Sequence, residues 1–324
     1  MRVLRPQSRP DVAATGRSVA AERTARAALS TDESTALIAD APLEPVLRGV
    51  SNWAWRAATP TGDYFVRLAR LDTERLGADH LNECRLLEAV AARGIAPPVV
   101  RCDAARRLLV TRWIDDANGG APVRDAARLV TVAVALARLH SLKPVTALRH
   151  VDFGTQAREL EAVLHAPDET NALAHTAAAV FERLELHAGP RTLCHNDLHP
   201  LNLLFEPGGR LWLVDWEYAG LGDPIFDLAS CASQHGLSAP QRARLAGLYS
   251  AAGGEAEPQR LELACWAFDY VQWLWYRAAL AQESLGEPGR DTKTLRNRAS
   301  RIGASLRRRA SSLLRCNNRG LKNS

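Results

Sequence analysis

No two cysteines of this 324-residue chain sit at a spacing that would grip a metal or staple a short loop. The six, Cys84, Cys102, Cys194, Cys231, Cys265 and Cys316, are scattered without a Cys-x-x-Cys pair. That excludes a cysteine-built zinc site and fits a reducing compartment, so a cytoplasmic location is expected. Long hydrophobic runs are missing too. The longest, "LVTVAVALA" at 129–137, lies between Arg128 and Arg138 and is far short of the ~20 residues a bilayer requires. No apolar stretch follows Arg2, Arg5, Arg9 and Arg17, which argues against a secretory signal. No internal repeat is visible.

Acidic residues are what the two ends lack. Residues 296–324 hold nine Lys or Arg and no acid, and residues 1–29 hold six Arg against two acids. The whole chain carries +5, so the stretch between the ends is acidic, at −8. A nucleic-acid surface needs its positive charge on the folded body, so no nucleic-acid partner is expected. Residues 1–38 and 296–324 read as basic, disordered tails.

What remains is the composition of a folded domain, 47% hydrophobic and 24% charged. Residues 43–70 read as three strands broken by turns at Gly49–Asn52 and Thr59–Asp63. A helix over 80–94 is marked by Leu81, Cys84, Leu87 and Val90 and stopped by Gly94. Two further strands span 97–114. Beyond 116 the pattern is helical, with a central buried helix over 126–142, and is interrupted by the strand-like "TLCHND" and a hairpin turning at Pro207-Gly208-Gly209. The expected fold is α+β and two-lobed. Its β-rich first lobe covers 39–114, its mainly helical second lobe covers 115–295 with the hairpin inserted, and a crevice separates them.

The chemistry concentrates in "LCHNDLHPLN", residues 193–202. His195 and His199 have the spacing of a zinc-binding helix, but Pro200 disfavours helical geometry at His199, and Asn196-Asp197 favour a turn. The segment is therefore read as a loop between strands. Phosphoryl transfer from a Mg-nucleotide needs a carboxylate beside the attacking hydroxyl, an amide oxygen on the metal and a second carboxylate bridging metal and phosphates. Asp197, Asn202 and the apolar-flanked Asp215 supply that set, and Mg²⁺ prefers such hard oxygen ligands.

At "CHNDLHPLN" and "LVDWEYAGLGDPIFDLA" the sequence resembles the choline kinase and aminoglycoside phosphotransferase superfamily, which shares the protein-kinase fold, and is most similar to its choline/ethanolamine and thiamine kinase branches. The resemblance spans roughly residues 40 to 290. It implies ATP and Mg²⁺ as cofactors, Asp197 as catalytic base, Asn202 and Asp215 on the metal, and Glu217 at a second metal. It further implies that His195 orients the loop and that Asp227 braces its backbone. In the first lobe it implies a phosphate loop tipped by Ser51 and Asn52, a phosphate-binding cation at Arg67, and Glu83 as that cation's acid. Arg112, Trp113 and Ile114 are implied to form the adenine-facing hinge.

The acceptor is read from "CWAFDYVQWLWYRA" at 265–278. On a helix Trp266, Tyr270 and Trp273 share one stripe, while Phe268 and Trp275 face elsewhere. A quaternary ammonium is recognised by aromatic faces and a nearby negative charge. The stripe is therefore the expected substrate cage, with Asp269 or Glu217 supplying the charge. The same helix read without the resemblance is core. The expected activity is phosphorylation of choline or a related amino alcohol. Thiamine or aminoglycoside phosphorylation, and a regulatory pseudokinase, are the alternatives.

Overall fold

A computed structural model describes residues 12–46, 52–70, 74, 77–143, 148–164, 168–283 and 292–315. The chain divides into two compact units. One comprises Met1–Leu71 and Val99–Trp113, the other Asp72–Pro98 and Ile114–Ser324.

The first unit is built on a five-stranded antiparallel sheet. Its strands are β1 (Leu43–Pro45), β2 (Asn52–Thr59), β3 (Gly62–Ala69), β4 (Val99–Asp103) and β5 (Leu108–Arg112), in the order β1-β2-β3-β5-β4. Pro60-Thr61 turns β2 into β3, and Gly62 has φ +122, open to glycine alone. Alternation along the strands sends Trp55, Ala57, Tyr64, Val66 and Leu68 to one buried face. That face is covered by helix α1 (Val12–Leu29) and the short α2 (Ala36–Asp40) through Ala21, Ala25, Leu29 and Ile38.

The expectation of a disordered start is corrected here for the described residues. The stripe Ala21, Ala25, Ala28 and Leu29 recurs at helical spacing, and alanine is the strongest helix former. Arg26 pairs with Glu22 one turn back and donates to the carbonyls of Ala39 and Ala41, fixing α1 to the chain that follows.

The second unit is mainly helical. Helix α3 (His80–Ala92) belongs to it rather than to the sheet unit. Asn82 Nδ2 donates to Ala219 O at 2.8 Å, and Asp79 N to Glu217 O at 2.9 Å. Then come α4 (Ala126–His140), α5 (Phe153–Leu164), α6 (Asp168–Leu186), β6 (Thr192–Cys194), β7 (Leu203–Phe205), β8 (Leu211–Leu213) and β9 (Gly220–Gly222). Helices α7 (Ile225–Gln234), α8 (Ala239–Ala251), α9 (Pro258–Glu283) and α10 (Thr292–Arg315) complete it. β7 and β8 form the expected hairpin, while β6 pairs with β9. Helix α4 is less buried than its composition predicts, because Val130 and Val134 are exposed.

The C-terminal tail is also corrected: residues 292–315 are helical. Leu295, Ala299 and Leu306 form a buried stripe along α10, which packs on α9. Gly303 lies under Trp273, where any β-carbon would come within 2.8 Å of the indole nitrogen. Among the described residues, no helix is long and apolar enough to cross a membrane.

Candidate active site

The segment after β6 is a loop, held in shape by α7. Asn196 takes φ +67, a left-handed conformation that asparagine tolerates. Pro200–Asn202 then form one 3-10 turn, capped by His199 Nδ1 accepting the Leu201 N–H at 3.0 Å. One face of α7 meets this loop residue by residue. Asp227 accepts the backbone N–H of His195 at 2.8 Å and of Asn196 at 2.6 Å, on different oxygens. Ser230 Oγ accepts the Leu198 N–H at 2.9 Å. His235, just past the helix, donates from Nε2 to Leu198 O at 3.2 Å and accepts the Val123 N–H on Nδ1 at 2.7 Å.

Asp227 is fully buried. Burial alone would raise its pKa. The His140 hydrogen bond at 3.0 Å, the fields of His140 and His195, and the His195 N–H outweigh that and hold it below the usual carboxylate range. His140, Cys194 and Asp227 approach one another closely enough to suggest a metal cluster. Both His140 nitrogens are already bonded, to Asp227 and to Tyr249 Oη, and both Asp227 oxygens are taken. The cluster is therefore a hydrogen-bonded brace.

His195 is buried, with Nδ1 accepting the Asp197 N–H at 3.3 Å and Nε2 donating to Val214 O at 2.9 Å. Its ring lies 4.6 Å from that of Trp216. With both nitrogens occupied, it shapes the loop. Asp197 is different, since 24% of its side chain is open. Its Oδ1 accepts from Gln234 Nε2 at 2.9 Å and its Oδ2 from Asn202 Nδ2 at 3.1 Å. The Asn202 amide nitrogen also meets Asp197 O at 2.8 Å, which turns its Oδ1 to the opposite side.

Val214 N donates to Asn202 O at 3.1 Å, tying the end of the hairpin to the loop. Asp215 follows at φ +65, a conformation uncommon outside glycine and found at sites where backbone shape serves a function. Glu217 is buried. Tyr218 senses the whole group: burial and the negative fields of Glu217, Asp197 and Asp215 push its phenol well above the usual range. An amide oxygen and two carboxylates are the hard donor set that suits Mg²⁺. Asn202, Asp215 and Glu217 fit that ion.

The remaining expected residues divide between the units. Arg67 lies mid-β3, 3% exposed, paired across the sheet with Ala54 and Leu109. Asn52 opens β2 opposite Ala69. Ser51 lies outside the described residues. Arg112 ends β5 over the Tyr64 ring, Trp113 stacks with Arg56, and the division between units falls between Trp113 and Ile114. In the second unit Glu83 is fully buried on α3, 3.5 Å from His80.

The expected cage is corrected. Trp266 and Tyr270 are fully buried and stack on each other, and Trp273 is nearly so. Trp266 donates to Leu306 O, Tyr270 to Glu161, and Asp269 pairs with Arg309 of α10. The stripe is core because α10 and α5 cover it. The aromatics of α9 off that stripe, Trp275 and Tyr276, are the ones near the carboxylates. Trp275 lies beside the Tyr218 phenol and edge-on to Tyr276, 5.4 Å between centroids. Tyr276, pushed up by burial, also feels Asp197, and its hydroxyl accepts from Arg298 at 3.0 Å. Gln234, Ser230 and Tyr218 were missed. The spacing of Asp227, Ser230 and Gln234, three and then four apart on one helix, was the available signal.

Comparison with known proteins adds four likenesses. The pattern of the phosphotransferase enzyme family (APH) matches residues 42–264. The protein LicA of Haemophilus influenzae is 51% identical over 45 residues, 14% of this chain and 16% of LicA. The chain thus spans a small part of that relative, and less than two thirds of the length of several other curated relatives. A solved choline/ethanolamine kinase family protein from Mesorhizobium loti superposes with a TM-score of 0.72 at 27% identity, covering 88% of this chain and 93% of its own. The choline kinase LicA from Streptococcus pneumoniae superposes at 0.65 with 20% identity, over 81% and 94% of the two chains. The α+β fold, an antiparallel sheet with a helical part, is that of these kinases, within the protein-kinase-like superfamily.

Proposed function

This chain belongs to the phosphotransferase enzyme family, and on that premise we propose that it is an ATP-dependent small-molecule kinase whose acceptor is choline or a related amino alcohol. One observation carries the reading. Asp197 is a partly open carboxylate with one N–H on each oxygen, in a loop that also holds the Asn202 amide, and two acids suited to Mg²⁺, Asp215 and Glu217, follow the hairpin tied to that loop.

In this reading the acceptor hydroxyl gives its proton to Asp197 as its oxygen attacks the γ-phosphorus. The new O–P bond forms while the bond from that phosphorus to the β,γ-bridging oxygen breaks, and ADP leaves with the electron pair. Asn202, Asp215 and Glu217 would hold Mg²⁺, which supplies charge neutralisation at the phosphates. Nucleotide-binding roles for Asn52, Arg67, Glu83 and Arg112–Ile114 are assignments for substitution to test. Tyr218, Trp275 and Tyr276 beside the three carboxylates favour a compact cationic amine, because cation–π attraction and negative charge act together there. That combination ranks choline or ethanolamine above a broad aminoglycoside.

The test is ADP release with ATP and a panel of choline, ethanolamine, thiamine and kanamycin. Choline or ethanolamine should give the highest kcat/KM, and Asp197→Asn should lower kcat by about 100- to 10,000-fold with the KM for ATP unchanged. Absence of amine turnover, or near-normal turnover by the variant, sinks the reading.

A further inference from the structure

The residues of α7 and its C-cap that face the catalytic loop are not equivalent. Asp227, Ser230 and His235 act on backbone atoms of residues 195, 196 and 198. Gln234 alone reaches a functional carboxylate. Its Nε2 carries two hydrogens. One goes to Asp197 Oδ1 at 2.9 Å and the other to Ser230 Oγ at 3.2 Å. The amide is therefore pinned at its nitrogen by a hydroxyl that also accepts the Leu198 N–H.

On the other side, Asn202 Nδ2 holds Asp197 Oδ2. Two N–H donors on two different oxygens fix both the position and the plane of the carboxylate. A carboxylate held at one oxygen still pivots about its Cβ–Cγ bond; held at two, it does not. Each oxygen keeps a lone pair for the acceptor proton. Because general-base transfer requires hydrogen-bond reach to a hydroxyl that is itself aligned with the phosphorus, a pivoting carboxylate lowers the share of productive encounters.

We propose that Gln234 is a positioning residue for the phosphoryl-transfer reaction, orienting the Asp197 carboxylate from the end of α7 with Ser230 as its anchor. The inference rests on Asp197 being the base. Gln234 lies 30 residues before the close of the family match at 264, yet its role comes from the contact it makes in this chain.

The experiment compares four proteins on the amine that the wild type turns over best. Gln234→Met keeps the side-chain length and removes the donor. Gln234→His returns a ring N–H near the place of the amide nitrogen. Loss of a hydrogen bond to a charged group should lower kcat for Gln234→Met by about 10- to 100-fold. The KM for ATP should stay within about twofold, and Gln234→His should recover most of the loss. A purely structural role would lower the melting temperature of Gln234→Met and leave the kcat of the folded fraction unchanged, which would overturn the inference. So would a kcat within about threefold of wild type. Asp197→Asn in the same series separates the two claims. If it is inactive while Gln234→Met is normal, only the positioning role fails. If it is active, the base assignment fails first.

Discussion

His235 accepts the Val123 N–H on one ring nitrogen and donates to Leu198 O from the other, an arrangement open only to the neutral ring. Burial pushes its pKa down from 6.5 to about 4. Between those values the unfolded chain binds a proton that the folded chain refuses, so stability rises with pH across that window. The cost of neutrality is absent above pH 6.5 and grows to roughly 3 kcal/mol as pH falls to 4. Denaturant unfolding at pH 7 and pH 4.5 should therefore show wild type losing about 2–3 kcal/mol more than His235→Gln, which does not titrate. Parallel losses in the two proteins would show that the ring is not held neutral. The order and spacing of Asp197, Asn202 and Asp215 suggest one chemistry from the sequence alone. His235 and Gln234 were not legible there, since a polar residue near the end of a helix carries no mark of what it faces.

Helices α9 and α10 show the same limit one level up. Periodicity grouped Trp266, Tyr270 and Trp273 on one face of α9, but it could not say that α10 covers that face. Nine basic residues and no acid make 296–324 read as a tail, although Ala299 and Leu306 continue from Leu295 at helical spacing. Two substitutions on α9 should now behave oppositely. Trp273→Leu removes a ring packed against Gly303 and should lower stability by about 2–4 kcal/mol while leaving the KM for amine within about twofold. Trp275→Leu should leave the melting temperature nearly unchanged and raise that KM about 2- to 30-fold. Thermal melts with steady-state kinetics decide between them, and the reverse pattern would return the cage to the stripe first expected.

For the whole molecule, the nucleotide reading makes stability depend on ligand. A ligand that binds only the folded state at 100 times its Kd adds about 2.7 kcal/mol. ATP with Mg²⁺ should raise the melting temperature by several degrees, and chelation with excess EDTA should remove most of that rise and all turnover. Turnover that survives chelation would refute the metal roles of Asn202, Asp215 and Glu217. By itself the sequence determined the strand and helix order of 43–283 in outline, the loop character of 195–202 and the family, and it suggested Asp197, Asn202 and the later Asp215 as base, amide and metal acid. These are local: they follow from turn residues, alternation and fixed spacings along one segment. Tertiary structure decided the rest, that α1 and α10 are folded parts, that α3 belongs with the helices, which face of α9 is core, and that α7 is the template of the 195–202 loop. Each of these depends on what a second element, distant in the chain, places against the first. A segment's own pattern names its apolar and polar faces, but burial is a property of the pair.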